Sequence, residues 1–332
     1  MIASTETSAD GPLFTVFTPT YNRRHTLERV FDSLRAQTLR DFEWLVVDDG
    51  STDGTPELIA DWAKTAGFPI RFFRQLHSGK HIAHNLAVRE ARGQFFAPID
   101  SDDALLPNTL DTVARTWNEI PVSDRPGFCG IWGLCRDQNG ANVGDCYPTS
   151  PLDAHLPEVN YVLRIRGEKW PVLRTDVLRK FSFPEIPRTP FIPEAMLWLE
   201  MGKTYKIRCV NEVLRVYHVH DDRTGTTLSD RAGLKDSAPG RLCYYVWLLN
   251  NNLKYFRHSP LPFLKAAVML PIVAWLSERP LRGVFASVDK FPARVLICIA
   301  LPLSVLLYGF ERMSVLGHKG DATPYSSRWP GV

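Results

Sequence analysis

The chain has 332 residues, 45% of them hydrophobic and 23% charged, with a net charge of +3. That size buries a sizeable core yet exceeds the needs of one compact domain, so a main domain with an appendage is expected. Residues 253–332 carry ten Lys/Arg against four Asp/Glu, a balance of +6, so residues 1–252 sit at −3. A weakly acidic body argues against a nucleic-acid partner, whose basic patch would lie on the folded domain, while a basic apolar end suits an anionic membrane surface.

The first stretch, MIASTETSADGP, lacks the basic and apolar regions of a signal peptide, so residues 1–12 read as a disordered tail and a cytoplasmic setting is expected. The six cysteines form no CxxC pair and read as reduced, structural residues. From Leu13 short apolar runs (LFTVFT, FEWLVVD, IRFFR, QFFAPID) alternate with helical segments (RRHTLERVFDSLRAQ, TPELIADWAKTAG, GKHIAHNLAVREARG). This alternation predicts an α/β fold, a mostly parallel sheet with helices on both faces. Thr55 is placed to cap the helix that has Pro56 in its first turn, and Gly67 to close it.

Residues 120–190 read as loop-rich, followed by a helix at PEAMLWLEMG and two strand-like runs, TYKIRCV and EVLRVYH, separated by Asn211. The main domain is placed at 13–230, a helical apolar region at 239–311 and a polar tail at 312–332.

Ligands of open α/β sheets bind beyond the carboxyl ends of the strands. Three such ends here are polar: PTYN, DDGSTDGT and DSDD, which bring Asp48, Asp49, Asp100, Asp102 and Asp103 to one rim. Two carboxylates about 4 Å apart repel by roughly 4 kcal/mol at an effective dielectric near 20, so the cluster calls for a cation. Oxygen-only ligation suits Mg²⁺ or Mn²⁺ shared with substrate phosphates. Each motif alone also reads as a turn or a helix cap.

In order and spacing, FTPTYNR (17–23), VVDDGSTDGT (46–55), GKHIAHNLAV (79–88) and APIDSDDALLP (97–107) resemble the inverting glycosyltransferases of family 2, which have a GT-A fold. PEAMLWLE (193–200) is similar more loosely, and the resemblance covers residues 13–220. It implies that Thr20 and Asp49 hold the nucleotide base, that Lys80 lies on the nucleotide side, and that Asp100 contacts the ribose. It further implies that Asp102 coordinates the metal on the diphosphate and that Asp103 caps the following loop. Glu194 stands where the family carries an acidic pair and is implied as the general base, although Pro193 replaces the partner acid. In YHVHDD (217–222), His220 matches a family histidine that touches diphosphate or metal, and His218 stands where an arginine is usual. Asp153, Glu158 and Glu168 are the reserve bases. His81, His84 and Asn85 are assigned to packing or capping, Glu200 to the surface, and Trp132, Trp170 and Trp198 to the core rather than to a sugar face.

The implied partners are a nucleoside diphosphate sugar, with a uridine diphosphate donor favoured, and a saccharide or lipid-linked acceptor. A catalytically silent nucleotide-sugar-binding scaffold and a nucleotidyltransferase remain as alternatives. In the C-terminal part, 266–276 and 295–310 are free of charge and each contains a proline. A 16-residue helix rises about 24 Å against about 30 Å of hydrocarbon. Attachment to the cytoplasmic face of the membrane is therefore expected rather than crossing, with packing against the main domain or a second copy as the other use of these helices.

Overall fold

The structure, a computed structural model, describes residues 11–186, 189–218 and 234–317. It divides into two compact units, Met1–Glu185 with Leu197–Gly225, and Ile186–Met196 with Thr226–Val332.

The first unit is built on one mixed sheet. Strands β1 (Phe14–Thr20), β2 (Phe42–Asp48), β3 (Ile70–Arg74) and β4 (Phe95–Pro98) pair in parallel in the order 3-2-1-4. Their crossovers contain α1 (Leu27–Arg35), α2 (Thr55–Ala63) and α3 (Lys80–Glu90). β1 and β2 are almost wholly buried, as their unbroken apolar runs require of strands covered on both faces. On α1 the residues Leu27, Val30, Phe31 and Leu34, one helical stripe, enter the core, where Phe31 stacks on Trp62. Trp44 lies beneath them, its indole N–H donating to Thr18 Oγ1.

Beyond β4 the sheet continues as β8, β6, β9 and β5, with β7 also paired to β9. These are β5 (Ala104–Leu105), β6 (Phe128–Asp137), β7 (Leu152–His155), β8 (Lys169–Arg174) and β9 (Lys206–Tyr217). The helices α4 (Thr109–Asn118), α5 (Thr175–Leu178) and α6 (Ala195–Thr204) accompany them.

Three strands therefore occupy the stretch expected to be loop-rich. β6 and β8 pair antiparallel, so the βα rhythm that marks the first half is missing there. Asn211 does not separate two strands either. It lies inside β9 near a register irregularity against β6, and its side chain exchanges hydrogen bonds with the Tyr147 backbone. A polar residue that supports a bulge gives the same sequence cue as one that ends a strand.

The second unit contains α7 (Ala238–Asn251), α8 (Pro260–Leu276), α9 (Leu281–Ala286) and α10 (Phe291–Gly317). α8 and α10 pack together: Ser304 donates to the Val268 carbonyl, and the Trp275 and Tyr308 rings lie 5.0 Å apart. α10 starts earlier than its uncharged run. Its apolar stretch is Phe291–Phe310, 20 residues, long and apolar enough to cross a membrane by length and composition. At 1.5 Å per residue this reaches about 30 Å, which corrects the shorter estimate made from residues 295–310. One face, with Ala293, Ile297 and Ser304, is buried, while Phe291, Val295, Ile299, Leu303, Leu306 and Phe310 form an exposed apolar stripe.

Candidate active site

The parallel register brings the ends of β1, β2 and β4 to one rim. Thr20 lies opposite Asp48, and the Asp49 N–H donates to the Thr20 carbonyl. Gly50 then turns the chain with φ +89°, where an added Cβ would sit 3.3 Å from the His77 backbone nitrogen. The loop after β1 clamps this turn, since Asn22 Oδ1 accepts from the Thr52 N–H and the Arg24 N–H donates to Asp53. Asp53 also accepts from the Thr55 backbone N–H and hydroxyl, and Gly54, not Thr55, is the N-cap of α2.

The two aspartates ending β2 have different partners. Asp48 is fully buried and accepts from the Ser51 N–H, with Arg74 at 3.3 Å. Asp49 receives Gln75 Nε2, the Ser78 and Gly79 backbone N–H groups, and His77 Nδ1, all within 2.9 Å. It thereby fixes the loop that starts α3. The His77 ring stacks on Tyr21 with centroids 4.0 Å apart. Thr20 Oγ1 is buried without a hydrogen-bond partner, an open polar atom beside this loop.

The carboxylates after β4 meet cations of the chain itself. Lys80 Nζ lies 2.6 Å from Asp100 Oδ1, Arg23 Nη1 3.6 Å from Asp102 Oδ2, and Arg215 Nη1 3.4 Å from Asp103 Oδ2. Burial raises the Asp100 carboxyl, but Lys80, Arg215 and Arg23 outweigh it and hold it below the usual range. Asp102 is pushed up by burial and then by repulsion from Asp100, against the pull of Arg23. Burial, with repulsion from Asp100 and Asp102, lifts Asp103 to about 7 despite Arg215. Asp103 does not simply cap its own loop. It accepts from the His218 N–H at the end of β9, while the following Ala104 and Leu105 pair with Val216 and Arg215.

Arg23, Arg215 and His77 were not among the expected site residues. Arg23 stood inside the TYNR motif, whereas nothing in EVLRVYH marks Arg215 as a buried cation held between Asp103 and Glu168. The cluster's call for a cation is thus met in part from within. Among the described residues no group of three or more His, Cys, Asp or Glu is placed to hold a metal. His220, expected as a metal contact, lies outside the described residues.

The reserve bases are largely engaged. Asp153 receives a two-point bond from Arg208, Glu168 binds Arg215 at 2.6 Å, and Glu158 accepts from the His155 N–H at 3.4 Å. Glu200 pairs with Lys203. Glu194, half-buried, directly precedes α6 and belongs to the Ile186–Met196 segment that groups with the second unit.

Trp132, Trp170 and Trp198 are buried, and Trp170 Nε1 donates to the Pro98 carbonyl at the end of β4. On α3, Asn85 exchanges two hydrogen bonds of 2.9 Å with the Phe183 backbone. His81 and His84 are buried, and His84 lies among Phe17, Phe96, Phe183 and Trp198 with ring centroids 5.2–5.9 Å away. Burial, then the Lys80 charge, lowers the His84 pKa from 6.5 to about 3. A histidine kept neutral by the fold binds fewer protons folded than unfolded, so its stabilisation is complete above the unfolded pKa and is lost as pH falls. Between pH 6.5 and about 5, this one group is expected to remove about 2 kcal/mol, at roughly 1.4 kcal/mol per pH unit. His84→Phe should show a correspondingly flatter loss of stability in urea unfolding at the two pH values. An unchanged slope would assign the acid sensitivity to other groups.

The mixed sheet with carboxylates at the ends of its parallel strands defines a GT-A-type α/β domain. The same fold is seen in Staphylococcus aureus TarS 1–349 solved in complex with UDP, at TM-score 0.58 and 19% identity over 93% of both chains. Residues 15–131 match the family described as Glycosyl transferase family 2. Among curated relatives, a GalNAc(5)-diNAcBac-PP-undecaprenol beta-1,3-glucosyltransferase of Campylobacter jejuni is 26% identical over 212 residues, 63% of this chain and 65% of that protein. The putative glycosyltransferase EpsH of Bacillus subtilis is 31% identical over 178 residues, 53% of this chain and 51% of that protein. The chain thus spans between about half and two thirds of the length of these relatives.

Proposed function

We propose that the chain transfers a sugar from a nucleoside diphosphate sugar, a uridine diphosphate donor in particular, to a hydroxyl of a saccharide or lipid-linked acceptor, with inversion at the anomeric carbon. The observation that carries this reading is the rim itself: Asp49, the Lys80–Asp100 pair and Asp102 beyond the ends of β2 and β4. The UDP complex of TarS and the undecaprenol-linked substrate named for the Campylobacter relative support the donor and acceptor classes.

In this reading Thr20 and Asp49 border the nucleotide, Thr20 through its unpartnered hydroxyl and Asp49 by fixing the Gln75–Gly79 loop. Lys80 and Asp100 lie on its ribose and phosphate side. Asp102 is about one third exposed, and its raised pKa marks a place that favours a further positive charge. With one or two carboxylates and no larger ligand set, this fits Mg²⁺ or Mn²⁺ completed by the donor's diphosphate and water. Such an ion, with His220 as a further contact, would offset the charge developing on the diphosphate. The acceptor oxygen attacks the anomeric carbon opposite the departing diphosphate. The new C–O bond forms as the bond to the β-phosphate oxygen breaks, and Glu194 takes the hydroxyl proton. Calorimetry should find UDP-sugar binding with Mg²⁺ or Mn²⁺ that falls sharply on chelation. Equal affinity in both conditions would rule out a metal-bridged diphosphate.

The exposed stripe of α10 and the flanking Lys290 and Arg294 support attachment to an anionic cytoplasmic membrane surface, where a lipid-linked acceptor is presented. The opposite face of α10 is buried against protein, which favours lying in the surface over crossing alone. Replacing Ile299, Leu303 and Leu306 together by Glu in the full chain should lower partition into anionic vesicles by at least about tenfold, leaving UDP binding unchanged. Undiminished flotation would mean that protein, such as a second copy, covers the stripe.

A further inference from the structure

Asp49 is buried at the rim, and the chain itself fills its hydrogen-bonding capacity. Oδ1 accepts from Gln75 Nε2 at 2.7 Å and from the Ser78 N–H at 2.8 Å, while Oδ2 accepts from the Gly79 N–H and His77 Nδ1, both at 2.9 Å. An ionised carboxylate offers about four acceptor positions, so the base of a donor meets none open. His77 Nδ1 also lies 3.3 Å from the Asp49 carbonyl, and two oxygens that can only accept assign the hydrogen to that nitrogen. The four donors are not equally tied to the fold. Three belong to a loop held independently of His77: the Gln75 N–H donates to the Asp48 carbonyl at 2.9 Å, Ser78 Oγ to the Leu76 carbonyl at 2.7 Å, and Gly79 leads directly into α3. The His77 side chain is 53% exposed and rests on the Tyr21 ring, itself on a residue 38% exposed. It can swing into water without undoing the turn.

We propose that His77 competes with the nucleobase for Asp49 and so sets how strongly the site distinguishes one base from another. A uracil presents an N3–H between two carbonyl groups, a donor that a carboxylate accepts well. To accept it, Asp49 Oδ2 releases His77 Nδ1, and the three remaining donors keep the loop in place. One charge-assisted bond is exchanged for another. His77 therefore lowers the gain from a base that carries the N3–H and leaves a base without it unaffected. This inference rests on the reading of Asp49 as a residue beside the nucleotide base.

The test is calorimetry of the full chain with UDP and with 3-methyl-UDP, whose N3 carries a methyl group in place of the hydrogen, at one fixed Mn²⁺ concentration. The ratio of the two affinities cancels effects on the diphosphate and on the Tyr21 ring. His77→Ala should raise the preference for UDP at least about fivefold above that of the unmodified chain, the size expected of one hydrogen bond to a charged group. His77→Asn places an amide N–H as many bonds from the backbone as Nδ1, so it should keep the unmodified ratio although it too lacks the ring. His77→Val provides a second donor-free variant should His77→Ala misfold by circular dichroism. If the unmodified chain prefers UDP and the folded donor-free variants leave the ratio unchanged or lower it, the His77 inference is overturned. An equal rise in His77→Asn overturns it as well, because the ring and not the donor would then be responsible. If the two nucleotides bind equally, or not at all, to both the unmodified chain and His77→Ala, the reading of Asp49 at the base itself fails.

Discussion

Asp102→Asn is expected to lower sugar transfer by about 10²–10³-fold, the usual effect of removing one fixed electrostatic stabiliser of a developing charge. The same substitution should bring UDP-sugar affinity measured with Mn²⁺ down to the value seen with chelator, because an amide is a poor substitute for a carboxylate at a hard cation. Stability should change little by comparison. Asn removes both the burial of a charge and the repulsion from Asp100 that raise the Asp102 carboxyl, while Arg23 gives up a partner at 3.6 Å. Asp61→Asn is the control: Asp61 near the end of α2 forms an exposed pair with Lys64, and such a solvent-screened pair contributes little to stability. Steady-state transfer and donor calorimetry on the two variants separate the outcomes. Full transfer by Asp102→Asn would remove Asp102 from the chemistry.

The parallel half of the sheet was legible because burial on both faces leaves a mark on every residue of a strand. FTVFTPT and FEWLVVD have few acceptable roles other than covered strands. The mixed half was not, because β6, β8 and β9 obtain their partners from far along the chain: Gly130 pairs antiparallel with Leu173, and Trp132 in parallel with Cys209. Local composition around Pro171 and Asn211 argues for turns, and only the completed sheet gives those residues a place in strands. The early start of α10 was hidden for a related reason. Arg294 interrupts the apolar run, yet its guanidinium donates to the Val288 carbonyl near the helix start, so the helix includes a charge that a count of uncharged residues treats as an end.

At the site, the carboxylates were legible and their counter-charges mostly were not. Asp49, Asp100, Asp102 and Asp103 come in short motifs at strand ends, whose position follows from the strand assignment alone. Arg215 lies in β9 between apolar neighbours, where an arginine normally reads as the solvent-facing member of an alternation. That it faces inward depends on β5 pairing with β9 and on Asp103, which shares Arg215 with Glu168. Charge burial is decided by such distant pairing. A count of carboxylates therefore left out the cations that the chain itself supplies.

Glu194→Gln is expected to reduce transfer by about 10²–10⁴-fold while leaving donor affinity nearly unchanged. Gln keeps the size and much of the hydrogen-bonding shape of Glu, so the substitution chiefly removes the ability to accept a proton. A base acts only when the acceptor hydroxyl is losing that proton, which is why donor binding should not respond. Glu194→Asp, with a shorter reach, should fall between the two because proton transfer needs the base within hydrogen-bond distance of the attacking hydroxyl. The engaged carboxylates narrow the alternatives. Asp153 is held at two points by Arg208, Glu168 is bound by Arg215 and Glu200 by Lys203, so each is already committed to a cation of the chain. If Glu194→Gln transfers sugar at the normal rate, Glu158, which accepts from the backbone N–H of His155 at 3.4 Å, becomes the first variant to test. Donor binding without transfer by the unmodified chain, across a broad set of acceptors, would instead favour a protein that holds nucleotide sugars without consuming them.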